Sequence, residues 1–105
     1  SAAYKTMDYQ EAWATWREVY ETSTEQWIKD IASNQLYRIK STVDTEALSS
    51  AVKQFKERYG RFPSDLSQLV RAGLIKEVPK DFDGNDYLYD PKTGEVKAPR
   101  VWWKR

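Results

Sequence analysis

The amino-acid sequence predicts an α+β fold that is mainly helical, with three to four helices followed by a small antiparallel β-hairpin. Three observations support this prediction. Apolar residues recur at helical spacing over most of residues 8–59. A shorter apolar stripe lies between Pro63 and Gly73. Two short strand-like segments then flank the turn sequence Asp-Pro-Lys-Thr-Gly at residues 90–94.

The first two helices are predicted from the N-terminal apolar stripe. Asp8 and Glu11 have the spacing of a capping box, so the first helix is predicted over residues 8–21. Residues 22–24 interrupt the stripe and offer two further capping boxes, one of Thr and Glu and one of Ser and Gln. The second helix is predicted over residues 24–40, which makes this part of the chain a helical hairpin.

The third helix is predicted to begin after the cap candidates of residues 41–44 and to end at Tyr59. Gly60 suits the left-handed residue that follows a helix, and Pro63 prevents the helix from resuming. Its apolar face comprises Ala47, Leu48, Ala51, Val52, Phe55 and Tyr59. We expect this helix to form the centre of the core.

The C-terminal part of the sequence predicts a short helix and a hairpin. Ser64 is the cap candidate of a fourth helix over residues 64–72. Strands are predicted over residues 86–89 and 95–97. Asp and Pro suit the first two positions of a type I turn between them, and Gly94 can adopt the left-handed conformation that returns the chain.

Composition excludes several classes of function. The 105 residues suffice for one domain, and the chain contains neither Cys nor His. Thiol nucleophiles, Cys-based zinc sites and the commonest general base are therefore absent. A net charge of +1 lacks the basic excess typical of nucleic-acid binders. We predict no enzymatic activity, no catalytic residue, no metal site and no cofactor.

The acidic loop of residues 81–86 contains candidate ligands for a metal ion. Asp81, Asp83 and Asn85 have the spacing of the first, third and fifth ligands of an EF-hand. The sixth position, however, is Asp86 instead of Gly, and the twelfth is Lys92 instead of Glu. We therefore predict that these side chains form hydrogen bonds with their own backbone, as turn residues do.

The second half of the chain contains an ordered series of short motifs. They are Tyr59-Gly60-Arg61-Phe62-Pro63, then Leu66, Leu69 and Val70, then Val78-Pro79-Lys80-Asp81, and finally Tyr87, Tyr89, Gly94, Glu95 and Val96. This series resembles the C-terminal part of the major pseudopilin family of bacterial type II secretion. The resemblance implies a helix, a corner, a short helix, a loop and a hairpin, and a cell-envelope or periplasmic location, with the cytoplasm as the alternative. The family's hydrophobic N-terminal helix and acidic calcium loop have no counterpart in this sequence, so filament assembly and calcium binding are not implied.

The N-terminal part is similar to the end of a tetratricopeptide-repeat array. Ala12, Trp16 and Val19 occupy positions where such a repeat places small, large and small apolar residues. The resemblance implies that the chain is a fragment of a longer protein. It also divides the sequence into a helical-hairpin segment, residues 1–42, and a pseudopilin-like helix with a hairpin cap, residues 43–105, packed as one domain.

Aromatic side chains are the candidate partner-binding residues, because exposed apolar patches mark interaction sites. They are Trp13, Trp16, Tyr20, Trp27, Trp102 and Trp103. Their spacing is equally compatible with packing inside a helix pair, which is the commoner arrangement. In the binding interpretation, part of this aromatic surface remains exposed or is covered by a second copy.

These observations predict a non-catalytic protein-interaction or scaffold domain of a bacterial envelope-associated protein. Its partner would be another protein, neighbouring repeats of the parent chain or a second copy in a homodimer. We expect no small-molecule substrate, no nucleic acid, and membrane association only through another part of the parent chain. Two alternatives remain: a pseudopilin-like subunit of a secretion or pilus system, and a nucleic-acid-binding module acting through the basic aromatic tail.

Overall fold

The computed structural model describes the backbone of residues 2–100 and the side chains of residues 9–100. Its elements are α1 (Ala2–Thr22), α2 (Gln26–Tyr59), α3 (Ser67–Arg71), β1 (Leu88–Asp90) and β2 (Glu95–Lys97). Three helices followed by a two-stranded antiparallel hairpin confirm the mainly helical α+β fold. Within the described part of the chain, no helix is long and apolar enough to span a membrane.

Helix α1 begins at Ala2, so the predicted start at Asp8 is wrong. Residues 2–7 include alanine, lysine and methionine, which are strong helix formers, and they extend the helix past the supposed cap. Helices α1 and α2 are joined by only three residues and pack against each other as an antiparallel pair. The predicted helical hairpin is therefore present.

The turn between α1 and α2 does not use the predicted capping boxes. Thr22 Oγ1 donates to the Glu18 carbonyl inside α1 at 2.7 Å. Glu25 is the N-cap of α2 without a side-chain cap bond, and its own N–H donates to Ser23 Oγ at 3.2 Å. Lys29 Nζ donates to the Tyr20 carbonyl at 2.9 Å and so satisfies one of the terminal acceptors of α1.

Helix α2 is one continuous helix of 34 residues, so the break predicted at residues 41–44 is wrong. Two of the polar residues that suggested caps have partners within the helix. Thr42 Oγ1 donates to the Arg38 carbonyl at 2.8 Å, and Asp44 accepts from Lys40 one turn earlier. The boundary expected between residues 42 and 43 consequently lies in the middle of α2, and the two segments share this helix.

The main core lies along the C-terminal half of α2. It comprises Leu48, Ala51, Val52, Phe55, Leu66, Leu69, Tyr87 and Val96. The expectation that this stretch of helix forms the centre of the core is confirmed. Ala47 and Tyr59 are exposed at its margins, contrary to their assignment to the apolar face.

The corner after α2 follows the prediction, but the short helix is capped differently. Gly60 adopts φ 76° and its N–H donates to the Lys56 carbonyl at 2.8 Å, which ends the helix. Helix α3 is shorter than the predicted residues 64–72, and Ser64 is not its cap. Asp65 Oδ1 instead accepts from the Gln68 N–H at 3.2 Å.

The hairpin pairs β1 with β2 in register Tyr89 to Val96. Its first strand begins two residues later than predicted, because Asp86 forms an isolated antiparallel bridge with Lys80 instead. Val96 faces the core, whereas Tyr89 Oη donates to the Pro63 carbonyl at 2.7 Å. The hairpin is thereby fixed to the corner that follows α2.

Candidate interaction surface

The loop of residues 80–86 is attached to α2 through one buried carboxylate. Asp81 is only 3% exposed, and its Oδ2 accepts a hydrogen bond from Tyr37 Oη at 2.7 Å. Its Oδ1 accepts from the N–H groups of Asp83 at 3.0 Å and Asn85 at 2.7 Å. Asp81 is therefore a turn residue bonded to its own backbone, as predicted, with an additional bond to α2 that the sequence does not reveal.

Two buried phenols beneath this loop act as hydrogen-bond donors to carboxylates. Burial raises the pKa of Tyr37, and the bond to Asp81 raises it further. Tyr87 Oη donates to Asp44 Oδ2 at 2.7 Å, and burial followed by this bond raises the pKa of Tyr87 in the same way. Both hydroxyls therefore stay protonated and hold the loop and the hairpin on α2.

Lys40 provides a second connection between the loop and α2. Its Nζ lies 2.5 Å from Asp44 Oδ2 and donates to the Lys80 carbonyl at 2.6 Å. Both charged side chains of the ion pair are partly buried, so this pair is screened less than an exposed one. Ser41, one residue along α2, is buried beside these groups.

Phe82 extends the loop to α1. Its ring meets those of Trp13 and Tyr20 edge to face, with centroid distances of 5.9 and 6.3 Å. Aromatic pairs prefer this arrangement, in which a ring edge meets the face of another ring. The loop therefore contacts α1 and α2 at once and joins the helical hairpin to the rest of the fold.

Arg100 closes the same region from the C-terminal side. Its N–H donates to Tyr37 Oη at 3.1 Å, and its guanidinium lies 4.8 Å from the centroid of the Tyr37 ring. The guanidinium also donates to Asn34 Oδ1 and lies 3.5 Å from Asp83 Oδ2. The chain that leaves the hairpin is thereby fixed against the N-terminal half of α2.

Apolar side chains remain exposed on the N-terminal half of α2. Trp27 is 64% exposed, and Ile31, one turn further on, is 43% exposed. We refer to these two residues as the Trp27–Ile31 face. Tyr20 on α1 is 37% exposed, beneath the Lys29 ammonium at 5.2 Å. The expectation that part of the N-terminal aromatic surface stays exposed in a single chain is confirmed.

Two grooves follow the seam between α1 and α2. The larger has a volume of about 410 Å³ and is lined by Tyr9, Gln10, Trp13, Ile39, Lys40, Val43 and Asp44. The smaller, of about 220 Å³, is lined by Tyr9, Ala12, Trp16, Arg38, Ile39 and Thr42. Both grooves offer aromatic and aliphatic walls beside charged groups, a composition that suits an apolar side chain of another protein.

The predicted partner-binding residues occupy different parts of this surface. Trp13 and Tyr20 come together around Phe82, and Trp16 faces the smaller groove. Trp27 lies apart from them near the start of α2. Trp102 and Trp103 lie outside the described residues. Phe82 was absent from the predicted set, although a large apolar residue in an acidic loop is a recognisable signal.

The acidic side chains of the described region are dispersed. Among residues 9–100, no group of three or more Asp and Glu side chains is arranged to hold a metal ion. Asp81 uses both carboxylate oxygens within the fold. The chemistry that the surface offers is apolar contact with charged margins.

Comparison of the chain with known protein families, with curated proteins and with solved structures finds no match.

Proposed function

We propose that this chain is a non-catalytic protein-interaction or scaffold domain of a bacterial envelope-associated protein. The observation that supports this most directly is the Trp27–Ile31 face, where Trp27 and Ile31 stay exposed on adjacent turns of α2. Tryptophan is enriched among the residues that dominate binding energy at protein interfaces. Here two large apolar side chains are held on a rigid helix, so binding them requires little loss of backbone entropy.

The partner in this proposal is another protein or a neighbouring repeat of the parent chain, with a second copy of the chain as the alternative. The grooves beside α1 would accept apolar side chains of that partner. A cell-envelope or periplasmic location belongs to the same proposal and rests on the pseudopilin resemblance, with the cytoplasm as the alternative.

A pseudopilin-like subunit is the second candidate. The order of elements supports it: a long helix ends at Gly60, and a corner, a short helix, a loop and a hairpin follow. In that case the exposed face of α2 would contact neighbouring subunits in an assembly. The hydrophobic segment that such a filament requires would have to lie outside this sequence.

Site-specific photo-cross-linking distinguishes a docking face from a merely exposed one. A photoreactive residue is placed at position 27, and in a control variant at the exposed Lys53, in cells that naturally produce the protein. We expect a cross-linked product from position 27 alone, and binding of the identified protein to the purified chain. Equal products from both positions, or no binding by the purified proteins, would contradict the proposal.

A further inference from the structure

Three exposed arginines from separate segments come together at the corner that follows α2. Arg58, in the last turn of α2, donates to the Ala72 carbonyl at 3.3 Å. Arg61, just beyond that helix, donates to Gln68 Oε1 on α3 at 3.4 Å. Arg71 lies in the last turn of α3. We refer to Arg58, Arg61 and Arg71 as the arginine corner.

The arginine corner has no carboxylate partner among the described residues. Its hydrogen bonds go to neutral oxygen atoms, and none of its guanidinium groups belongs to an ion pair with residues 9–100. Residues 53–76 contain six cations and only two carboxylates, of which Asp65 already accepts from Ser67. A guanidinium presents a planar fork of donors that matches a carboxylate. The corner is therefore suited to bind carboxylates from outside the chain.

The opposite end of α2 has the opposite charge. Residues 11–30 contain five carboxylates and two cations. Glu18 and Glu25, which precede and follow the turn between α1 and α2, are exposed and form no ion pair within the described part of the chain. Glu21, beside them, has only an exposed pair with Arg17. We refer to Glu18 and Glu25 as the acidic turn.

The stability of α1 does not explain these charges. The C-terminal end of a helix dipole is negative, so carboxylates there are unfavourable, and Glu21 lies in the last turn of α1 with Glu18 just before it. Two other charged groups nearby have partners inside the chain, because Asp30 accepts from Gln26 and Lys29 donates to a carbonyl of α1. The carboxylates of the acidic turn remain available to cations of another molecule.

The two charged surfaces are too far apart to meet within one chain. Helix α2 has 34 residues, so about 50 Å separates its ends, which is several times the screening length of about 8 Å at physiological ionic strength. We propose that copies of this chain associate head to tail, with the acidic turn of one copy bound to the arginine corner of the next. Different surfaces meet in such a contact, so it is heterologous and can be extended by further copies. The inference goes beyond the proposed function, because it does not require the Trp27–Ile31 face to bind a different protein.

Sedimentation velocity of the purified chain tests this association. At about 0.01 M salt, where the screening length is about 30 Å, the average mass should rise above 12.3 kDa as the protein concentration increases. At about 1 M salt, where that length is about 3 Å, the chain should be monomeric.

Two neutralised variants separate the two surfaces. Glu18→Gln with Glu25→Gln removes the acidic turn, and Arg61→Gln with Arg71→Gln removes most of the arginine corner. The self-association of each variant alone at low salt should be at least tenfold weaker than that of the unaltered chain. An equimolar mixture should form a 1:1 dimer, because each variant retains the surface that the other lacks.

The matched control is Lys80→Gln with Lys97→Gln, which removes two exposed positive charges outside the arginine corner. It should associate as strongly as the unaltered chain. Thermal unfolding verifies that every variant is folded, which is expected because all the substituted side chains are exposed. A monomeric unaltered chain at low salt would overturn the proposal, as would undiminished association of either neutralised variant or a mixture that stays monomeric. If the copies associate as expected but no partner binds at position 27, the inference stands and the proposed function fails.

Discussion

Tyr37 and Asp81 are 44 residues apart in the chain, yet in the interior Tyr37 Oη donates a hydrogen bond to Asp81 Oδ2 at a distance of 2.7 Å. The same hydroxyl accepts from the Arg100 N–H at 3.1 Å. This one phenol therefore forms hydrogen bonds with both the loop at residues 80–86 and the chain that leaves the hairpin. It is the point at which α2, the loop and the C-terminal segment meet.

Tyr37→Phe should destabilise the fold by about 1–3 kcal/mol, because it leaves a buried carboxylate oxygen and a backbone donor without their partner. Urea denaturation measures the change in the free energy of unfolding. Tyr59→Phe is the matched control, since that residue is 49% exposed and its substitution should change stability by at most about 0.5 kcal/mol. Equal effects of the two substitutions would show that the buried bond contributes nothing.

Phe82→Ala should loosen α1 while leaving the main core intact. Removing a fully buried phenylalanine ring costs about 3–5 kcal/mol, and the cost here should be smaller because Phe82 is only partly buried. Amide hydrogen exchange should accelerate in α1 and remain unchanged in residues 48–55. Leu88→Ala, at an exposed position, should change neither region. Unaltered exchange in α1 would mean that Phe82 does not hold this helix in place.

Two glycines with positive φ allow backbone strain to be separated from steric conflict. Gly84→Ala introduces a Cβ at φ 87° with no atom within 4 Å, so it should cost about 1–2 kcal/mol. Gly94→Ala introduces the same strain at φ 77° and places Cβ 2.6 Å from Phe62 Cε1. Overpacking of this kind should add about 1–3 kcal/mol. Thermal unfolding of both variants gives the comparison, and equal losses would argue against the close contact with Phe62.

Alkaline pH should destabilise the protein. Burial raises the pKa of Tyr37, Tyr87 and Tyr89 above the usual 10.0. In the unfolded chain these phenols lose their protons near pH 10, whereas in the folded chain they retain them. The folded state then binds more protons, so the free energy of unfolding falls as pH rises above about 10. Denaturant titrations across this range should show a shallower fall for Tyr87→Phe, and an identical slope would contradict this account.

Strong local signals explain which elements could be predicted from the sequence. Gly60 and Pro63 terminate α2 because each imposes a backbone constraint of its own, and the hairpin depends on Gly94 in the same way. Residues 41–44 misled the prediction because Thr42 bonds to a carbonyl inside the helix and Asp44 bonds to Lys40 and to Tyr87, which is far along the chain. The local sequence pattern does not reveal partners that are so distant in the chain.

The exposure of apolar side chains near the N-terminus was expected from the sequence, whereas the role of the predicted partner-binding residues stays a prediction. The expectation that some N-terminal aromatic rings stay exposed followed from the amount of apolar surface that two helices can bury between them, but it did not single out Trp27. The contact of Phe82 with α1 depends on the placement of a loop that follows more than sixty residues later, so helical periodicity could not reveal it. The pseudopilin and tetratricopeptide resemblances remain predictions.

The affinity of Trp27→Ala for the protein that cross-linking at position 27 identifies tests the proposed interaction most directly. Because Trp27 is 64% exposed, its substitution should change the free energy of unfolding by at most about 0.5 kcal/mol. If Trp27 is a main contact, the affinity should fall at least tenfold, as expected of a residue that contributes about 2 kcal/mol or more. Lys53→Ala should leave both quantities unchanged. An unaltered affinity of Trp27→Ala, with stability preserved, would contradict the assignment of this face as the binding surface.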